Sequence, residues 1–596
     1  MVKKINFKQL LIILISIIVT MGTCINLNKD IENTNFINGN SMLLIVYVYF
    51  VYCLIKKVIS IKDKRLKICA SILGMLLASF SIIGESINWY NNLSGIIDSG
   101  IIFFKSSIKW FSYLLIISSI ITIIFNKFNE FLNANEELKE ESKFNKYFTC
   151  NKKSFAICWI IIFLAWVPYF LNYFPGILTP DSIYQVEQAV GVYPINGHHP
   201  VFHTFIIKIA MSIGILIKGQ NLGVIIYSIF QMAIMSACFS FAIYYMAKNK
   251  VPTWIRILTL IFFSIYPVHG MYSITMWKNV LAGGVTLLFI ICMTQIAKNS
   301  LEFFTSKIRI LWLVITSCLV IFLINNGIYI IILTFPFLLW LCRKNYKQII
   351  VTFLVIITIY TIVNTLIFSV LNIKKGSIRE ALSIPLQQFA RVVKYREDDL
   401  SDDERNLIYN YLPEENLGDL YNPTLSDPVK AILDEEYFKE NKTDFIKLWV
   451  KLFFKFPLEY IESFLCNSYG YWYPEATNWV VSRVIMDSEN LEVVQTPIIE
   501  SNIVSKIDSL VDKRNIPVVS MMFSLGFMFW TVLINFMFCI YRKKYKLTLI
   551  YIPIFVLWLT VIASPVFCEF RYLYPMVTSM PIILLSPVWI KNSNID

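Results

Sequence analysis

The sequence predicts an all-α polytopic membrane protein with about 14 transmembrane helices. Of its 596 residues, 57% are hydrophobic and only 16% are charged, whereas soluble proteins carry about 25% charged residues. Runs such as those at 9–25 and 309–324 approach, with their flanks, the ~20 residues needed to cross a bilayer. The net charge of +13 does not indicate nucleic-acid binding, because the basic residues lie mostly in short loops that orient the spans.

The predicted spans divide the chain into four segments. Residues 1–153 hold the first four spans; residues 154–371 hold the next seven and the first extracytoplasmic loop, 174–220. Residues 372–516 form one extracytoplasmic region between spans 11 and 12, and residues 517–596 hold the last three spans. The predicted spans are 9–25, 42–56, 67–85, 107–125, 155–173, 221–246, 256–271, 279–297, 309–324, 327–342, 348–371, 517–541, 547–567 and 573–590.

The apolar stretch 204–218 is predicted to lie in the membrane interface instead of crossing the bilayer. Thr204, Lys208 and Ser212 recur every four residues and predict a polar strip on an otherwise apolar helix. If this stretch crossed the bilayer, the basic loops that follow, including 542–544, would face outside, against the positive-inside rule. We therefore expect a multi-pass plasma-membrane protein with both termini in the cytoplasm.

The extracytoplasmic region 372–516 is expected to rest on the membrane. Its stretch 444–457 repeats lysine every four residues and predicts a second interfacial helix. The acidic stretch 396–405 is expected to be the solvated face of a helix.

The loop 172–203 concentrates polar residues between apolar runs. It holds Asp181 in a turn rich in Pro and Gly. Asp181 can be a helix N-cap, with Ser182 and Gln185 as an alternative capping box. It can also be a general base that activates an acceptor hydroxyl or amine, since partial desolvation at an interface would raise its pKa.

Three of the four histidines lie in the same loop: His198, His199 and His203. They can contact a phosphate or an acceptor, or make structural hydrogen bonds in a wet loop. His199 and His203 are four residues apart and could share a metal ion, but Pro200 interrupts the stretch and no acidic ligand lies nearby. We therefore assign no metal site, although a divalent metal stays possible.

Two cations stand beside aromatic residues at outer span ends. Lys278 follows Trp277, and Arg571 precedes Tyr572. These cations can be snorkelling side chains, or they can hold a phosphate or diphosphate, which arginine grips in a bidentate manner. Cations outside are less common at span ends, which favours phosphate binding by Lys278, Arg571 and Tyr572.

Two further groups are candidates for contact with an acceptor or a sugar. Trp472 and Glu475 lie in a dense aromatic run, which can be a membrane-interface belt or a sugar-stacking platform with a carboxylate for hydroxyl groups. Gln388 and Arg391 form a weaker polar patch of the same kind. The chain contains no nucleotide-binding motif, so chemistry on the outer face would proceed without ATP or nucleotide sugars.

Several of these segments together resemble the GT-C-type integral membrane glycosyltransferases. They are Pro175-Gly176 with Thr179 to Ser182, Gly197 to Pro200 with His203, Trp277-Lys278, Pro385 to Arg391, and Phe570 to Tyr572. The resemblance covers about residues 155–590. Within that group, these segments are most similar to those of a bacterial multi-pass family of uncharacterised function. One position departs from the pattern, because Asn279 stands where an acid is expected after Lys278.

The resemblance implies an enzyme that transfers a sugar, with inversion, from a polyprenyl-phosphate-linked donor to a glycan, lipid or protein acceptor of the cell envelope. Asp181 would deprotonate the acceptor, while Lys278 and Arg571 would stabilise the departing lipid phosphate. Two alternatives stay open: a transporter or flippase for lipid-linked glycans, and a non-catalytic assembly factor built on the same scaffold, which Asn279 leaves open.

Overall fold

The chain is an all-α multi-pass membrane protein. A computed structural model describes residues 6–27, 41–134, 150–485, 488–512 and 516–591. Within these ranges seven helices are long and apolar enough to cross a membrane, or eight if the pair Thr253–Ile265 and Pro267–Ile274, bent by 49°, forms one span. Residues 1–5 and 592–596, the termini expected in the cytoplasm, lie outside the described residues.

The N-terminal segment is a bundle built on four long helices. Two glycines let these helices approach closely: a Cβ on Gly22 would lie 2.1 Å from Ser112 Oγ, and one on Gly74 would lie 2.3 Å from Ser118 Oγ. Small residues allow such backbone contact in membranes, where the hydrophobic effect does not drive helices together. The helices are α1 Phe7–Thr23, α2 Ser41–Ser60, α3 Lys64–Tyr90, the short α4 Ser94–Ile97 and α5 Gly100–Asn133.

The central segment forms most of the main hydrophobic core. Its helix α12 is buried over almost its whole length, because neighbouring helices surround it. The helices are α6 Lys152–Asn172, α7 Pro180–Val190, α8 Val201–Ile217, α9 Gln220–Lys248, α10 Thr253–Ile265, α11 Pro267–Ile274, α12 Lys278–Lys298, α13 Ser300–Thr305, α14 Lys307–Leu323, α15 Gly327–Leu341 and α16 Tyr346–Val370. The parallel strands β1 Asn196–Gly197 and β2 Lys374–Lys375 join its first loop to the next segment.

The helix α8 packs against α7 and α9. Its predicted polar strip is not continuous, because Thr204 is buried while Lys208 and Ser212 are exposed. Residues four apart on a helix are offset by about 40°, so Thr204 and Ser212 face directions about 80° apart. The exposed surface of α8 is largely apolar and includes Leu216, of which 86% is exposed.

The region 372–516 divides into a helical unit and an irregular strap. The helical unit, residues 378–468, has a hydrophobic core of its own, formed by side chains between Leu386 and Tyr460. The strap, residues 476–485 and 488–512, contacts α6 and α7: the Ile498 N–H donates to Leu171 O over 2.9 Å, and Ser488 Oγ donates to Glu187 Oε1 over 2.7 Å. The helices are α17 Ser383–Arg396, α18 Asp402–Tyr411, α19 Leu417–Leu420, α20 Asp427–Ala431, α21 Glu435–Glu440, α22 Lys442–Lys455, α23 Pro457–Ser468 and α24 Asn502–Asp508.

The acidic stretch is a solvated helix face only in part. Asp402 and Asp403 are exposed, whereas the Glu404 side chain is only 4% exposed and binds Lys451 and Lys455 at 2.9 Å and 2.7 Å. Burial raises the pKa of Glu404, but its hydrogen bonds to the two lysines outweigh burial and bring the pKa down to about 2. The expectation of full solvation is therefore wrong at Glu404, since lysines of α22 turn toward it.

The C-terminal segment returns to the main core. Its chain passes through the turn Phe570–Leu573, which places the Phe-Arg-Tyr motif at the start of a buried helix. The helices are α25 Pro517–Met522, α26 Leu525–Tyr541, α27 Ile552–Ala563, α28 Tyr574–Ile583 and α29 Ser586–Lys591. Several predicted spans, among them α1, α15, α26 and α27, are helices of 17 residues or fewer, below the ~20 residues that span a bilayer unaided.

Candidate functional site

Asp181 lies in the first turn of α7, but it does not cap the helix. Thr179 is the N-terminal cap, and it forms a capping box with Ser182, whose Oγ accepts from the Thr179 N–H over 2.7 Å. The N-cap interpretation of Asp181 and the alternative box of Ser182 with Gln185 are therefore wrong. Because Thr179 already caps the N-terminus of α7, the Asp181 carboxylate is available to bind groups from other segments.

The start of α7 is fixed to the start of α12. Ile177 and Thr275 pair in a parallel β-bridge. The Trp277 indole donates to Thr179 Oγ1 over 2.5 Å. These bonds hold the acidic first turn of α7 beside the first residue of α12, which is a lysine.

Four charged side chains from three distant segments meet at this point and form the charge cluster Asp181, Lys278, Glu569 and Arg571. Arg571 Nη1 donates to Asp181 Oδ2 over 2.9 Å, and Arg571 Nε donates to Glu569 Oε2 over 3.1 Å. Lys278 Nζ lies 3.9 Å from Asp181 Oδ2 and 2.9 Å from His199 Nδ1. The cluster combines two cations with two carboxylates.

The charge cluster is partly shielded from water by aromatic rings. The Arg571 guanidinium lies 5.0 Å from the Trp277 ring centroid and 5.1 Å from that of Tyr572. The Arg571 side chain is 11% exposed, whereas 28% of the Asp181 side chain is exposed. Asp181 is thus the most accessible carboxylate of the cluster, and the electrostatic interactions around it are only partly screened by solvent.

The environment of Asp181 favours its charged form. Burial raises the pKa of Asp181, but the positive charges of Arg571 and Lys278 outweigh burial and bring the pKa down to about 2. The expected rise toward working pH is therefore wrong for this state, because the sequence does not show that two cations contact the carboxylate. Glu569 behaves differently: burial raises its pKa, and Arg571 offsets this only in part.

His199 accepts a hydrogen bond from Lys278. Burial and the charge of Lys278 lower the pKa of His199 to about 2, so the ring is neutral and its Nδ1 accepts from the ammonium group. His198 is exposed, and its ring lies 4.6 Å from the His199 ring. The structure therefore brings His198 and His199 to the charge cluster.

His203 lies apart from the cluster in a buried hydrogen-bond network. His203 Nδ1 lies 3.1 Å from Gln185 Oε1, and His203 Nε2 lies 2.6 Å from Tyr227 Oη. Tyr227 donates to Gln231 Oε1 over 3.0 Å. The His203 side chain is fully buried, so it supports the positions of α7, α8 and α9 and does not face an acceptor.

The end of this network holds the turn before Lys278. Gln231 Nε2 donates to the carbonyl oxygens of Tyr272, Ser273 and Thr275 over 2.8 to 3.1 Å. His203 and His199 do not share a metal position, since both ring nitrogens of His203 are engaged. Within the described ranges no group of three His, Cys, Asp or Glu residues could hold a metal ion.

We expect Gln231→Leu to lower the thermal unfolding temperature in detergent and to impair any activity of the cluster. The substitution removes the bonds that Gln231 donates and leaves the buried Ser273 carbonyl oxygen without that donor, and a buried polar group without a partner costs about 1–3 kcal/mol. Gln348→Leu, at an exposed position of α16, is the matched control and should leave the temperature nearly unchanged. Equal unfolding temperatures for the two variants would contradict a supporting role for the network.

Gln388 and Arg391 lie inside the helical unit. Gln388 donates to Tyr460 O over 3.1 Å and accepts from Trp449 Nε1 over 2.7 Å. Arg391 forms a buried ion pair with Glu462. These bonds join α17 to α22 and α23, and the structure does not bring the two residues to the charge cluster.

Trp472 and Glu475 pack near the N-terminal bundle. The Trp472 ring lies 5.2 Å from that of Phe80 in α3 and is 5% exposed. Glu475 Oε2 accepts from Tyr473 Oη over 3.0 Å. Trp472 therefore has a packing role, whereas Glu475 is exposed, and the structure brings neither side chain to the charge cluster.

Sequence reasoning missed Glu569 and the proximity of Glu380. Glu569 precedes the Phe-Arg-Tyr motif by one residue, and that adjacency was the available signal. The negative charge of Glu380 acts on Lys278 and Tyr572 from the helical unit, which sequence distance conceals. Asn279 is buried, and within the described part of the chain its Oδ1 has no hydrogen-bond partner.

Comparison with known proteins places most of the chain in one group. A family model described as a family of unknown function (DUF6020) matches residues 192–595. No curated protein and no solved structure matches the chain. The matched range includes Lys278, Glu569 and Arg571, whereas Asp181 lies just before it.

Proposed function

The chain belongs to this family of unknown function, and we propose that it is a GT-C-type membrane glycosyltransferase. It would transfer a sugar from a polyprenyl-phosphate-linked donor to a cell-envelope glycan, lipid or protein on the extracytoplasmic face of the plasma membrane. The observation that carries the proposal is the charge cluster, in which Asp181 stands 2.9 Å from Arg571 and 3.9 Å from Lys278. A carboxylate beside two cations combines a proton acceptor with a phosphate-binding pair.

The proposed reaction assigns one role to each part of the cluster. An acceptor hydroxyl or amine attacks the anomeric carbon, a bond forms there, and the bond from that carbon to the phosphate oxygen breaks. The acceptor proton passes to Asp181, and the electron pair of the broken bond stays on the lipid phosphate. Lys278 and Arg571 stabilise that departing negative charge, which preorganised cations do best in a partly dehydrated site.

The proposed topology has about 14 spans and places the cluster outside. The positions of the basic loops support it. We expect Asp403→Cys, at an exposed position of α18, to react with a membrane-impermeant maleimide in intact cells beyond the labelling of the parent chain. We expect Lys543→Cys to react only after the membrane is permeabilised, and the reverse pattern would contradict the topology.

An assay with purified protein and a labelled polyprenyl-phosphate sugar in liposomes separates the enzyme from its two rivals. Release of free polyprenyl phosphate supports the transferase. Movement of the intact lipid between leaflets without cleavage would instead support the flippase. If neither release nor movement occurs, the result would favour an assembly factor, the alternative that the amide at Asn279 leaves open.

A further inference from the structure

The two carboxylates bound to Arg571 are held with different strength. Glu569 is 10% exposed, and its backbone pairs with Trp479 in a parallel β-bridge. Asp181 is 28% exposed, and its carboxylate binds side chains of other segments. Glu569 therefore fixes the Arg571 side chain through Nε, while Asp181 occupies the outer donor, Nη1, as a partner that can leave.

Asp181 occupies the position at which the cations would bind an anion. Its Oδ2 atom accepts from Arg571 Nη1 and is also the atom nearest to Lys278 Nζ. A phosphate bound to both cations would need these same two donors. Carboxylate and phosphate oxygens bind arginine with similar geometry, so the two anions compete for one place.

We propose that Asp181 is an internal stand-in for the donor phosphate, and that phosphate binding to Arg571 and Lys278 displaces it and frees it to act as the base. This inference rests on the proposed function and adds an order of events to it. Before the donor arrives, the carboxylate is ion-paired and is a poor proton acceptor. Once a phosphate takes the place of the carboxylate at the two cations, the carboxylate faces an anion, which raises its affinity for a proton.

The arrangement links base activation to donor binding. A carboxylate that becomes basic only beside a bound lipid phosphate cannot deprotonate water or an acceptor productively in the empty site. The same exchange has a cost, because the donor phosphate must first replace an existing ion pair. Removing the Asp181 charge should therefore improve phosphate binding while it abolishes transfer.

The test compares phosphate binding by the full-length parent chain and by Asp181→Asn, both purified in detergent, using calorimetry. The probes are polyprenyl phosphate, inorganic phosphate and phosphatidylglycerol. We expect the variant to bind the first two at least about tenfold more tightly than the parent does, since asparagine carries no charge to compete with phosphate. Phosphatidylglycerol, a phosphodiester with a single negative charge like the sugar donor, should gain less than these more highly charged phosphates.

Glu380→Gln is the matched control. It removes the same charge near Lys278, but the Glu380 carboxylate binds Lys430 at 2.9 Å and does not occupy the two donors. Its phosphate affinity should stay within about twofold of the parent value, because charges that are mostly exposed are screened. An equal gain in phosphate affinity in both variants would show that any lost negative charge near the cations has this effect, and it would overturn the exchange.

The remaining outcomes separate this inference from the proposed function. If Asp181→Asn binds polyprenyl phosphate equally or more weakly than the parent, the exchange is overturned while the proposed donor stands. If both proteins bind inorganic phosphate, more tightly in the variant, but not the lipid phosphate, the exchange is supported and the proposed donor is overturned. If neither protein binds any phosphate, both proposals are overturned.

Discussion

Asp181→Asn is expected to lower the rate of sugar transfer by about 10²- to 10⁴-fold, the usual contribution of a general base. Asparagine keeps the shape of the side chain and can still accept a hydrogen bond from Arg571, but it cannot take the acceptor proton. The measurement is the release of polyprenyl phosphate from a labelled donor, at donor concentrations that saturate both proteins. Saturation matters because we expect the variant to bind the phosphate more tightly.

The folded state should survive this change. Since the folded pKa of Asp181 lies below its ordinary value, its ionisation stabilises the fold above about pH 4, and that stabilisation is lost as the pH falls toward about 2. The asparagine variant lacks this term, yet Glu569 still neutralises Arg571. Asp403→Asn, at an exposed position, is the control. Full transfer by Asp181→Asn would show that another group is the base.

Arg571→Gln is expected to lower transfer by about 10²- to 10³-fold, as when one preorganised stabiliser of developing charge is removed. It also leaves Glu569 buried without a partner, and breaking a buried ion pair in this way costs about 3–5 kcal/mol. Transfer and thermal unfolding are therefore measured together. The double variant Arg571→Gln with Glu569→Gln removes the unpaired carboxylate and should regain much of the stability but not the activity.

Arg571→Lys tests geometry at constant charge. Lysine lacks the planar fork that lets Arg571 donate to Asp181 and Glu569 at once, so we expect a lower rate with a smaller loss of stability. Arg396→Lys is the control, because Arg396 binds Glu459 at 2.6 Å within the helical unit. This variant should keep the transfer rate of the parent chain. Recovery of transfer in the double glutamine variant would mean that Arg571 acts only on stability.

The helices were predictable because their signal is local. A run of apolar residues near the length of a bilayer predicts a helix from the chain segment alone, and α3, α9 and α12 lie where the sequence places them. The resemblance also pointed to Asp181, Lys278 and Arg571 as one group, since it implies a base and two cations that stabilise the departing phosphate. The structure brings these three side chains together.

The errors concern side chains whose partners lie far away in the chain. Arg391 and Trp472 are residue types that are common in binding sites. Each is nevertheless buried against helices that lie elsewhere in the sequence, and the sequence does not reveal these contacts. His203 lies four residues from His199, yet it faces Tyr227 inside the fold, while His199 faces Lys278. Proximity along a helix did not decide proximity in space.

By itself, the sequence determined the membrane class, the positions of most helices and the identity of the polar residues that stand out against them. Only the tertiary structure decided that Asp181 is already ion-paired, that Glu569 shares its arginine and that Thr179 caps α7. The reason is that apolar length and periodicity act within a segment. Charge pairing instead depends on distances between atoms, and Asp181 and Arg571 are 390 residues apart in the chain but only 2.9 Å apart in space.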